Sequence, residues 1–133
     1  MRLVHQQADA EGDARTDTED DPRPDADDPR TLATDVERAD SWLARARGLM
    51  FQSEVPEDYA LVFPFDGAKR RGIHTAFVRV PIDAVWLADG TVTRVETLAP
   101  WRSVAVAEAD AVVELAAGGA DGLQAGDAVR VVE

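Results

Sequence analysis

A chain of 133 residues has room for one domain, and its formal charge of −12, with a pI near 4.4, repels phosphate backbones and anionic lipid. Neither nucleic acid nor a membrane surface is therefore an expected partner. The absence of cysteine excludes disulfides, thiolate metal sites, iron–sulfur clusters and thiol nucleophiles.

The opening "MRLVHQQADAEGDARTD" lacks the apolar stretch of a secretory signal, and no apolar run in the sequence is long enough to cross a bilayer, so a cytoplasmic location is expected. Residues 5–34 carry ten acids and three prolines but almost no large apolar side chains. Such a segment cannot bury enough surface to offset its chain entropy. Residues 1–34 are thus expected to be a disordered acidic leader, with His5 beside it in no functional role, and residues 35–133 a single β-rich domain.

Order is expected from Asp35, where "DVERADSWLARARGLMF" reads as a short extended entry followed by a helix capped by Asp40 or Ser41. Trp42, Leu43, Ala46, Leu49 and Met50 form one apolar stripe at three- and four-residue steps, with Arg45 and Arg47 off it and Gly48 closing the turn. Strand patterns follow at residues 59–65, 72–80, 83–87, 91–98, 103–107, 111–116 and 128–132. Asp89-Gly90 between two apolar runs predicts a primed turn and an antiparallel hairpin. Links this short cannot carry crossover helices, so the fold class is mostly β (α+β): an antiparallel β-sandwich or partly closed barrel with one short covering helix. Residues 118–129, "GGADGLQAGDAV", are expected to form an irregular turn feeding the last strand.

The pieces "RARGLMF", "YALVFPF", "PIDAVWLADGTV" and "VVELAAGGADGLQAGDAV" resemble, in order and spacing, the uncharacterised family called domain of unknown function 192, over residues 36–132. The resemblance implies a compact β-rich fold with a short covering helix and no established activity. Many members have Phe-Trp-Met-Lys-Asn-Thr where this chain has Ile73, His74, Thr75, Ala76, Phe77 and Val78. An activity needing that lysine and asparagine does not transfer. The resemblance also places Asp83 in a Pro-Leu-Asp-like motif and Glu114 in a Leu-Glu-like motif.

Twenty-six acids face thirteen arginines and one lysine, Lys69, in a chain rich in alanine and valine. This is the composition of a halophilic, archaeal-type protein, whose short carboxylates hold hydrated cations while brine screens their repulsion. An acidic interaction surface is the competing reading, weakened because the acids run along the whole chain.

Chemistry concentrates in "RRGIHTAFVRVPIDAVWL", residues 70–87. Extended geometry puts His74, Ala76, Val78, Val80, Ile82, Ala84 and Trp86 on one face and Asp83 on the other. Pro81 cannot donate to a ladder, so it marks an edge or a bulge, and a bulge would exchange the faces. His74 suits a structural role bonded to a backbone carbonyl; as a general base it needs an orienting carboxylate. Asp83 and Glu114 each interrupt an apolar strand, where a carboxylate requires partners. Those are either an ion pair with Arg45, Arg47 or Arg79, or a ligand. Arg70 and Arg71, with Lys69, form a basic cluster suited to a solvated turn or an anionic ligand. No His-x-x-x-His or Glu-x-x-His spacing occurs, and no metal or cofactor is expected.

The leading expectation is a monomeric domain that binds a small sugar-like or anionic molecule near Arg70, Arg71, His74 and Asp83. A hydrolase using Asp83 or Glu114 with His74 is the second, and a structural or partner-binding module the third.

Overall fold

In a computed structural model, described for residues 1–7, 30–39, 54–74, 78–101 and 103–132, eight strands form one sheet. They are β1 (Arg2–Gln6), β2 (Arg30–Ala33), β3 (Asp35–Arg38), β4 (Tyr59–His74), β5 (Ile82–Ala88), β6 (Thr91–Leu98), β7 (Val104–Ala116) and β8 (Ala128–Val132). Their spatial order is β2-β1-β8-β6-β5-β7-β4-β3, and every pair is antiparallel except β3 with β4. The mostly antiparallel fold expected from the short links is present.

The two outermost strands, β2 and β3, are joined by Thr34 alone. β2 and β3 thus follow one another end to end, the first pairing with β1 and the second with β4, so the chain itself links the two ends of a partly closed barrel that no ladder closes. At this link, the Thr34 and Asp35 amides both donate to the Asp58 carbonyl, at 3.0 and 2.9 Å.

Alternation along the strands creates two apolar layers. The inner one draws on every strand, with Leu3, Ala33, Val36, Val62, Val85, Val92, Val113, Leu115 and Val129 among its members. The outer layer is built mainly on β4, β5 and β7, with Leu98 of β6, and includes Leu61, Phe63, Ile82, Ala84, Trp86 and Val112. Trp86 is fully buried and its indole N–H donates to the Arg71 carbonyl at 2.9 Å, so its polar atom carries no burial cost. The expected covering helix falls on residues 40–53, outside the described residues.

Asp89 and Gly90 have φ of 54° and 78°, the two positive values a primed turn requires, and β5 and β6 pair across them as expected. Residues 117–127 form the irregular turn before β8. Several expectations are corrected. Arg2–Gln6 and Arg30–Ala33, placed in the leader, are strands. Leu3 and Val4 are buried as β1 inserts between β2 and β8, a tertiary pairing that local composition does not reveal. The runs at 103–107 and 111–116 are one strand, β7, because Glu108 and Asp110 interrupt its hydrophobicity without interrupting its ladder.

The stretch at residues 70–87 is likewise not one strand. Its first part ends β4, a strand that bulges between Pro64 and Lys69 around Gly67 (φ 80°), and its last part is β5. Pro81 sits just before β5, where its missing N–H costs no ladder bond, and β5 is a central strand between β6 and β7.

Candidate functional site

β5 and β4 flank β7, so the register along β7 locates each candidate. Asp83 stands opposite Leu115, whereas the His74 backbone stands opposite Val104, at the other end of the strand. Glu114 stands opposite Ala84. Asp83 therefore shares the inner face of Leu115, and Glu114 the outer face of Ala84. The grouping of Asp83 or Glu114 with His74 expected for a hydrolase is not assembled, because the ladder separates His74 from both.

Asp83 is 2% exposed and fully engaged. Its Oδ1 accepts from the Thr97 hydroxyl at 2.7 Å, and its Oδ2 accepts from the Gly118 and Ala120 amides, both at 3.0 Å. Gly118, at φ 94°, needs the glycine that the sequence supplies. Asp83 thus tethers the 117–122 turn to β5 through three hydrogen bonds, where the expectation was either an arginine partner or a ligand.

The basic candidates separate as well. Arg71 donates to the Ala109 carbonyl at 3.2 Å and the Gly67 carbonyl at 2.9 Å, and lies 4.2 Å from the Phe65 ring centre. It braces the β4 bulge. Arg70 and Arg79 are exposed, Arg70 lying across the ladder from Glu108. Arg45 and Arg47 lie outside the described residues.

Glu114 differs from all of these. It is 5% exposed, and its Oε1 has no hydrogen-bond partner among the described residues. Burial alone pushes its carboxyl up to about 7 from an ordinary 4.5, since the charged form loses water and gains nothing in return. Leu61 of β4 faces it directly, and one step beyond the Ala60–Leu115 pair Tyr59 stands across from Ala116 on the same side. The Tyr59 hydroxyl donates to Glu37 Oε1 at 2.5 Å. Burial first, then that bond and the charges of Glu37, Asp35 and Glu114, hold the phenol well above its ordinary pKa. A cleft of about 330 Å³ opens at this end of β7, lined by Glu57, Ala116, Ala117, Gly118 and Gly119. Glu114 is one row in from Ala116 on the same face.

Two buried or half-buried contacts escaped the sequence reading. His5, given no role there, is 6% exposed, and its Nε2 lies 2.9 Å from Asp127 Oδ2. The clue was "RLVHQ", a short apolar run that a strand could use. Tyr59–Glu37 joins residues on different strands, which no spacing rule connects. Among the described residues, no cluster of three or more His, Asp or Glu is placed to hold a metal ion. No described helix is long and apolar enough to cross a membrane.

Fold and site together define a small, partly closed β-barrel domain with a buried acid at one end, one oxygen of which has no hydrogen-bond partner among the described residues. The family pattern of DUF192, described as an uncharacterized ACR, matches residues 25–131, and the chain belongs to that family. It is 41% identical over 71 residues to the UPF0127 protein PH1112 of Pyrococcus horikoshii, a match spanning 51% of this chain and 59% of that protein. Among solved structures, a candidate transcription regulator of Sinorhizobium meliloti aligns at TM-score 0.75 and 20% identity, covering 97% of this chain and 92% of its own. A Novosphingobium aromaticivorans protein of unknown function aligns at 0.72 and 17%, covering 98% and 84%. At these identities the two structures establish the likeness of fold alone.

Proposed function

We propose that the domain binds a small polar molecule in the cleft at the end of β7, with Glu114 as the residue that recognises it. The observation that carries this reading is the buried Glu114 carboxyl, one oxygen of which has no partner among the described residues, since natural folds seldom leave such an atom without a use. Glu57 in the lining and Glu114 one row in from Ala116 favour a hydroxyl-bearing, sugar-like ligand over an anionic one, because carboxylates accept from hydroxyls and repel anions. Arg70, at the bulge of β4, remains the group suited to an anion, and it lies along β7 toward Glu108 rather than at the cleft.

A panel of neutral monosaccharides and their phosphorylated counterparts, followed by NMR chemical shifts at Ala116, Gly118 and Gly119, tests the reading. Shifts with the neutral sugars that disappear in Glu114→Gln are expected. Binding that survives in Glu114→Gln, or that is confined to phosphosugars and perturbs Arg70, would move the site away from the cleft.

A further inference from the structure

The sheet is unevenly sewn together. β6, β5, β7, β4 and β3 are joined by ladders of four to eleven residue pairs, whereas β8 meets β6 through the single pair Thr91–Ala128. Three further bonds reinforce that junction: Val92 N to Asp127 O at 2.8 Å, Gly126 N to Val92 O at 2.9 Å, and Val129 N to Gly90 O at 2.9 Å. Beyond it lie β8, β1 and β2, which on their far side share no ladder with β3 among the described residues and are joined to it through Thr34. β1 is the middle strand of this group, and β2 pairs with nothing else. If β1 leaves, β2 loses its ladder and β8 retains one pair, so the three must open together.

One buried side-chain contact pins β1. His5 Nε2 meets Asp127 Oδ2 at 2.9 Å, and the same oxygen accepts from the Gln124 amide at 3.1 Å. His5 is thereby fixed to the turn whose Asp127 carbonyl holds β6. An exposed second tie runs from Arg30 of β2 to the Asp121 carbonyl at 2.6 Å. The pin is imperfect: His5 Nδ1 is buried without a hydrogen-bond partner among the described residues. The cost of that orphaned nitrogen is relieved by water once the strand lifts, which brings the closed and open arrangements nearer in free energy.

We propose that β2, β1 and β8 form a separately opening flap over the inner apolar layer, and that the His5–Asp127 pair is its latch. Opening bares Leu3, Ala33 and Val129 and the layer beneath them, while β4, β5 and β7 stay paired.

Native-state hydrogen exchange tests this on the unmodified protein. With rising sub-denaturing urea, amides of β1, β2 and β8 are expected to converge on one opening reaction that lies below global unfolding. Convergence only with the amides of β5 and β7 would overturn the flap. In His5→Ala and Asp127→Asn, exchange in the three strands is expected to rise at least tenfold with β5 and β7 unchanged. Equal acceleration everywhere, or none in β1, would overturn the latch, and the unmodified protein decides for the flap if either variant fails to fold.

Discussion

Asp83 and Glu114 look alike in sequence, each an acid inside an apolar strand, yet the fold gives them opposite circumstances. Asp83 ends three hydrogen bonds, so its removal takes the acceptor from the buried Ala120 amide and from the Gly118 amide and Thr97 hydroxyl nearer the surface. Asp83→Ala is expected to cost about 3 kcal/mol in urea unfolding, as for other buried charged partners; a loss under about 1 kcal/mol would mean the turn holds itself. Glu114 acts in the other direction. Its folded pKa, about 7, lies above its unfolded value of 4.5, so the folded state binds the extra proton between these values. The contribution to stability is complete below about pH 4.5 and disappears as pH rises through 7. Glu114→Gln should therefore stabilise the protein at pH 8 by roughly 2–3 kcal/mol and by nearly nothing at pH 4, measured as the difference between the two unfolding curves. A pH-independent difference would place a cation beside Glu114. Neither fate was legible beforehand, because only the register of β5 on β7 decides which face each acid occupies.

At the level of elements, sequence and structure agree where a strand is bounded by turn chemistry and disagree where it is bounded by polarity. β6 and β8 coincide with their apolar runs, and Asp89-Gly90 forms the turn its residues demand. β7 continues through Glu108 and Asp110 because long-range pairing with β4 and β5 satisfies its backbone, whatever the side chains. β1 was missed because five residues beside an acidic segment carry too little pattern, and its partner β8 lies at the far end of the chain. Gly90→Val tests the turn, since a β-branched residue at φ 78° is strained: a loss of about 1–2 kcal/mol is expected, read by thermal unfolding. No loss would show that the hairpin is held by β7 and β8 instead. Trp86→Ala, which empties the largest fully buried side chain, should cost about 3–5 kcal/mol by the same measurement.

For the whole molecule, a charge of −12 sets the conditions under which the fold persists. The acid excess predicts that the unfolding midpoint rises as sodium chloride goes from about 0.1 to 2 M, because the Debye length shrinks from about 10 Å toward 3 Å and self-repulsion fades. A midpoint indifferent to salt would remove the salt-adapted reading. Charge is not the only safeguard such a chain possesses. Thr34 joins the two outermost strands end to end, so β2 and β3 are each only four residues long, a short template for another molecule to extend. Edges this short give a growing fibril little ladder to follow. Their length is set by the chain and changes with neither dilution nor desalting.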